Sequence, residues 1–205
     1  MKSSALATHE QSLLRLAKKR PLLHTRDLDQ HGLPRVMLSR LVESGKLERH
    51  SRGVYSLPGR RISAHRSLAE VALRAPRGVI CLLSALRVHE IGTQAPFEVW
   101  LATPGNMPAP RIERPAIHQV RMSGAALTAG IERIVIDGVS VPVFNAAKTI
   151  ADCFKYRNKI GLDVALEALR DGLKRRKATM DEIWRYAEID RVANVMRPYL
   201  ESVVA

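Results

Sequence analysis

The amino-acid sequence predicts an α+β fold in two parts: a small helical domain closed by a hairpin (residues 1–60) and a mixed domain ending in a helical half (residues 61–205). Three features lead there. Apolar residues recur at spacings of three and four before residue 45 and again after residue 145, the mark of helices that bury one face. Between them, FEVWLA, HQVRM and IERIVIDGVSVPVF read as strands. Pro58-Gly59-Arg60-Arg61 then marks the boundary, because turn residues followed by charge punctuate a chain.

In the first part, Leu6, Leu13, Leu14 and Ala17 place a helix at about residues 8–19, and Pro21 ends it. Thr25 is suited to cap a short second helix, with Asp27 and Asp29 favourable near its positive end. Gly32 supplies a turn, and Pro34 fits the first turn of a third helix, where its missing N–H goes unnoticed. Leu38, Leu41 and Val42 then fall at i, i+3 and i+4 and should face a core. At 100° per residue the other side carries Val36 and Arg40, flanked by Ser39, with Arg35 at the N-terminal end. Gly45 closes this helix.

Leu47 begins a strand, and Val54, Tyr55 and Leu57 form its return, with Tyr55 and Leu57 on one face. His50-Ser51-Arg52-Gly53 supplies the turn and, with Arg49, a basic tip. Three helices followed by a hairpin is the layout of a winged helix-turn-helix. In that layout the third helix enters the major groove of DNA, and the hairpin lies on the phosphate backbone or in the adjoining minor groove. Arg can grip guanine with two bonds, Ser can donate or accept, and Val can touch a thymine methyl.

In the second part, LAEVALRAP predicts a helix, VICLL is a short apolar run, and SALRVHEIG predicts a helix ending at Gly92. A turn is expected at Asp137-Gly138. From Asn145 onward, NAAKTIADCFKYR, LDVALEALRDGLKRR, TMDEIWRYAEI and VANVMRPYLESVV each carry helical spacing. Asn145 and Thr179 are good caps, and Asp163 stands near a helix start.

Charge narrows the choice of partner. The 205 residues carry 33 Lys+Arg against 20 Asp+Glu, a formal net charge of +13. Of this, +8 falls on the first 61 residues, which favours a polyanion at the N-terminal part. Cys81 and Cys153 lie far apart in apolar stretches, as buried thiols of a reducing compartment would. The start MKSSALATHEQ lacks the apolar core of a secretory signal, and no apolar run approaches the ~20 residues that span a bilayer. A cytoplasmic protein without a membrane partner is expected.

Catalytic constellations are absent from the sequence. The seven histidines show no metal-ligand spacing with one another or with cysteine. Phosphate-cradling glycine motifs are missing, and so is any Asp-x-Lys or Glu-x-Lys triplet of the kind metal-dependent nucleases use. Ser84, His89 and Glu90 are the right types for a nucleophile and base. Five residues put Ser84 and His89 on different sides of one helix, however, so a capping serine and a partly buried histidine are expected instead. No catalytic residue, metal or cofactor is expected. The run Lys174-Arg175-Arg176-Lys177 ends a predicted helix, where cations complement the dipole. As the sharper alternative, it is a second phosphate-binding patch.

The segment GLPRVMLSRLVESGKLERHSRGVYSLP resembles the winged helix of AbiEi-type antitoxins from bacterial type IV toxin–antitoxin systems. VICLLSALRVHEIG, and the stretch from GVSVPVFNAAKTIADCFKYRNKIGLDVALEALRDGL through MRPYLESVVA, resemble that family's C-terminal domain. The resemblance implies an N-terminal domain that represses its own operon by binding inverted repeats in the promoter. It also implies a C-terminal domain that counters a nucleotidyltransferase-like toxin, without requiring a stable complex. Carried over by position, the DNA contacts fall on Arg35, Val36, Ser39 and Arg40 in the third helix and on Arg49, His50 and Arg52 in the hairpin. Two other readings stay open: a stand-alone repressor whose C-terminal domain senses a ligand, and an enzyme that the winged helix targets to nucleic acid.

Overall fold

A computed structural model describes residues 2–60 and 63–204 of the chain. Arg61, the last residue of the expected connector, lies outside the described residues, as does the side chain of Leu6. The fold is mixed α+β, as the sequence predicts. By its contacts the chain divides into two compact units, residues 1–73 with 135–140, and residues 74–134 with 141–205.

The first unit runs α1 (Lys2–Lys19), β1 (Leu23–His24), α2 (Thr25–Gln30), α3 (Val36–Glu43), β2 (Glu48–Ser51) and β3 (Val54–Ser56), followed by the start of α4 (Arg66–Arg74). The expected order of three helices and a hairpin is present, with one addition. Leu23 and His24 pair antiparallel with Tyr55 and Val54, so the hairpin becomes a sheet of order β1-β3-β2. Leu13, Ala17, Leu28, Met37, Leu38, Leu41, Leu47 and Tyr55 form the core of this unit. Burying each leucine contributes about 2 kcal/mol.

Two local expectations are corrected. The cap of α2 is His24 rather than Thr25: its Nδ1 accepts from the Arg26 N–H at 3.1 Å, while the Asp27 carboxylate accepts from the His24 N–H at 2.8 Å. Pro34 stands before α3 rather than within its first turn, its carbonyl accepting from the Met37 N–H at 3.1 Å. Gly45 does close α3. Its φ of +69° lets the Lys46 N–H reach back to the Leu41 carbonyl at 2.8 Å, the glycine-terminated helix end.

The second unit contains β4 (Val79–Ile80), α5 (Leu82–His89), β5 (Val99–Pro104), β6 (Ile117–Met122), the single turn α6 (Ala125–Thr128), and the greater part of strands β7 (Ile131–Ile136) and β8 (Val139–Phe144), whose connecting residues 135–140 are counted with the first unit. Helices α7 (Ala146–Lys155), α8 (Arg157–Ile160), α9 (Leu162–Lys174), α10 (Met180–Ile189) and α11 (Ala193–Val204) complete it. The strand order is β6-β5-β4-β8-β7, with β5 parallel to β6 and β4 parallel to β8. Asp137 and Gly138 both have positive φ, +48° and +74°, as a two-residue hairpin turn requires.

Helix α7 is the centre of this unit. Every residue from Ala146 to Phe154 is buried, although the segment includes Lys148, Thr149 and Asp152. Asn145 caps it by accepting from the Lys148 N–H at 2.8 Å. Thr179 caps α10 through a reciprocal pair with Glu182, in which its own N–H donates to the Glu182 carboxylate at 2.8 Å. These bonds hold the Glu182 carboxyl below its ordinary range. Cys81 and Cys153 are free thiols, both fully buried, and burial pushes each up.

Candidate nucleic-acid interface

On α3 the core-facing and exposed sides separate cleanly. Met37, Leu38 and Leu41 are buried, Val42 is half-buried, and Arg35, Val36, Ser39 and Arg40 are exposed. Val36 is 55% exposed, unusual for a β-branched apolar side chain with a core within one helical step. Among the described residues Arg40 forms no ion pair or side-chain hydrogen bond, so its guanidinium is free to meet an anion.

Arg35 is arranged differently. Its Nε and Nη2 donate to both carboxylate oxygens of Asp29, at 3.0 and 2.5 Å. That fork holds the Asp29 carboxyl below its ordinary range and raises the guanidinium further. Asp29, expected to favour the start of α2, instead braces the start of α3 across the Gly32 turn. The sequence signal was present, since an Arg and an Asp six residues apart flank a turn glycine, but periodicity does not reveal such pairs.

In the hairpin, Arg49 and Arg52 are exposed, and among the described residues neither forms an ion pair. Register slips between Arg49 and Ser51, so a bulge sits beside the turn. Gly53 at the turn has φ +82°, and its carbonyl accepts from the Thr25 N–H at 3.0 Å. A side chain there would also press on Thr25 Oγ1. His50 departs from the expected basic tip. It is half-buried, its Nε2 lies 2.7 Å from Ser56 Oγ, and its Nδ1 faces Arg66 at 3.4 Å. Burial first, and the Arg66 charge second, lower its pKa from the ordinary histidine value. At pH 7 the ring is therefore neutral and adds no charge to the tip. Arg60, in the boundary segment that follows the hairpin, turns onto the end of α1 and donates to the Ala17 carbonyl at 2.9 Å.

The second basic patch is not an open row of four cations. Arg175 donates to the Glu90 carbonyl and to Asp171, and it approaches the Glu90 carboxylate at 3.6 Å. Lys177 pairs with the same carboxylate at 3.5 Å. Two of the four therefore hold the end of α5 against the end of α9, while Lys174 and Arg176 remain exposed.

Ser84 and His89 are not assembled for chemistry. The Ser84 hydroxyl is no cap; it accepts from the Trp100 N–H at 3.0 Å and so ties α5 to β5. His89 Nε2 donates to the Phe144 carbonyl at 2.7 Å. Among the described residues no three His, Cys, Asp or Glu side chains converge as a metal site would need. No helix among them is long and apolar enough to cross a membrane.

Residues 11–58, which run from the middle of α1 to just past β3, match the family described as transcriptional regulator, AbiEi antitoxin. Among solved structures, the chain is similar to the crystal structure of the RV2827C protein from Mycobacterium tuberculosis. The TM-score is 0.60 at 15% identity, over 90% of this chain and 71% of that one. At that identity the likeness speaks for the fold. A search of curated proteins gave no match.

Proposed function

We propose that this protein is a non-enzymatic antitoxin of a type IV system that represses its own operon. Residues 1–60 act as a winged helix-turn-helix that binds inverted repeats in the promoter. Residues 61–205 counter a nucleotidyltransferase-like toxin encoded beside it, and both activities take place in the cytoplasm. The family match over residues 11–58 carries the reading. The arrangement of α3 supports it, because an exposed Val36, Ser39 and Arg40 stand opposite a leucine core, as a helix lying in a major groove needs. Arg49 and Arg52 are the backbone contacts, with His50 as a neutral neighbour.

Promoter DNA is the test. With about five phosphates neutralised, log affinity should fall against log salt with a slope near −4 to −5, from roughly −0.9 per contact. An operator with scrambled repeats should bind at least ~10³ less tightly, the low end of specific over non-specific affinity. Equal affinity for both sequences would sink the operator reading.

Arg35 takes part by exchanging partners. An exposed ion pair is worth only about 0.2–1 kcal/mol, so the Asp29 fork can yield to a phosphate or a guanine edge. Asp29→Asn is expected to tighten duplex binding about two- to five-fold, read by fluorescence anisotropy. Unchanged affinity would take Arg35 out of the interface.

One observation favours a second reading, the stand-alone repressor with a sensing domain. A cleft of about 620 Å³ lies along α9, bordered by Glu167, Arg170, Asp171 and Lys174. Growth arrest on expressing the neighbouring gene without this one favours the antitoxin. Harmless expression favours the sensor.

A further inference from the structure

The first unit holds a second basic feature that neither α3 nor the hairpin includes. A cleft of about 410 Å³ opens between α1 and the turn joining α2 to α3, lined by His9, Ser12, Arg15, Leu16, Lys19 and the turn residues from His31 to Leu33. Its polar lining contains donors and no carboxylate. On α1 the residues follow helical spacing, with steps of three or four from His9 through Ser12 and Arg15 to Lys19, and so form one stripe.

Several cations around this cleft already have partners. Arg20 pairs with Asp27, Arg35 with Asp29 and Lys46 with Glu10, while Arg60 meets the end of α1. Arg15, Lys19, His9 and His31 form no ion pair among the described residues. Arg15 and Lys19 also stand at i, i+4, where two like charges destabilise a helix rather than support it. Lys19, in the last turn of α1, complements the helix dipole, but Arg15, a turn earlier, gains no partner from its placement.

We propose that this cleft is a second phosphodiester-binding face of the N-terminal unit, one that takes the sugar–phosphate backbone of nucleic acid without reading its bases. The length of the stripe selects the backbone over a single phosphate group. At about 1.5 Å of rise per residue, His9 and Lys19 are separated by roughly 15 Å along α1. A lone phosphate reaches one or two of these donors, whereas a strand presenting a phosphate every ~3.4 Å of helix axis reaches all of them. The side chains of Leu16 and Leu33 in the lining are apolar and offer no hydrogen bond to a base edge. The inference rests on the DNA-binding reading above and adds a face to it.

The experiment compares full-length wild type, Arg15→Gln/Lys19→Gln, and the charge-keeping Arg15→Lys/Lys19→Arg. Binding to promoter DNA and to an unrelated duplex is followed from about 50 to about 200 mM salt. Both side chains are exposed, so all three proteins should melt together. The charge-removing variant is expected to lose affinity equally for both duplexes. Its salt slope should be shallower by about two, from roughly 0.9 per lost contact. Over that salt range the wild type then loses about ten-fold more affinity than the variant. The charge-keeping variant should retain the wild-type slope.

An unchanged slope in the charge-removing variant, with wild type binding promoter tightly, overturns the cleft and leaves α3 untouched. A slope that falls equally in both variants overturns it too, because charge is then not the cause. Pyrophosphate that raises the melting temperature of wild type but not of the variant, with DNA slopes equal, reassigns the cleft to a small phosphorylated ligand and overturns the backbone. Wild type that ignores every duplex removes the DNA reading itself, and the inference with it.

Discussion

Replacing Lys148 by Ala is expected to destabilise the second unit by about 3–5 kcal/mol, the cost of leaving buried charge without its partner. Lys148 lies in α7 and is fully buried. Its ammonium donates to Asp152 Oδ1 at 2.5 Å and to Asp190 Oδ2 at 3.0 Å, and it sits 4.8 Å from the centre of the Phe144 ring. Asp190 caps the end of α10, so one cation joins the central helix to a helix end 42 residues away. Without it, the one cation left beside Asp190 among the described residues is Lys155, at 3.4 Å. Urea unfolding checks the size of the loss. A change below about 1 kcal/mol would mean that packing alone holds α7 to α10. Replacing Lys148, Asp152 and Asp190 together by apolar residues of similar volume should recover most of the loss, because the desolvation penalty leaves along with the charges.

The same cluster sets a pH dependence. Burial, acting against the pull of Lys148, raises the Asp152 carboxyl to about 8, and its second oxygen has no hydrogen-bond partner among the described residues. The folded state therefore holds this proton more tightly than the unfolded chain, where an Asp titrates near ~3.9. Stability from this group is full below about pH 4 and is lost progressively as pH rises towards about 8. Asp152→Asn, which imitates the neutral carboxyl, should remove that slope. It should cost far less at pH 8 than Lys148→Ala does. Asp152→Asn that matched Lys148→Ala in cost would mean that Asp152 is ionised in the fold.

Such a cluster is invisible in AAKTIADCF, because three-and-four spacing there describes one apolar face. That the opposite face is buried as well depends on α5, α9 and α10 packing around it. Local chemistry was far more legible. Asn145 and the Thr179–Glu182 pair cap the helices their types suggest, and Asp137-Gly138 makes the turn its dipeptide specifies. Strand β1 was not legible, since two residues carry no period; only Tyr55 and Val54 make a strand of Leu23 and His24. At the candidate interface, the exposure of Val36, Ser39 and Arg40 follows from 100° per residue against Leu38 and Leu41. Capture of Arg35 by Asp29 and desolvation of His50 beside Arg66 do not follow, because in each case the partner comes from another element. The sequence marks which residues are basic; the fold decides which of them are available.

Availability is what makes Arg40 the decisive residue of the proposed DNA interface. It is exposed on α3 and, among the described residues, unpaired, whereas Arg35 on the same helix end is held by a carboxylate. A guanidinium free to lie flat against a guanine edge contributes about 1–3 kcal/mol of discrimination through two bonds. Arg40→Ala is therefore expected to weaken promoter binding by that amount and to relax preference at one base pair per half-site, leaving binding to unrelated duplexes nearly unchanged. Arg52→Ala, at the hairpin turn, should instead weaken every duplex alike and reduce the salt slope by about one. Anisotropy titrations on a set of operators, each altered at one base pair, separate the two. If Arg40→Ala lowers affinity by the same factor on every sequence, Arg40 touches phosphate rather than base, and sequence reading passes to Ser39 and Val36 beside it.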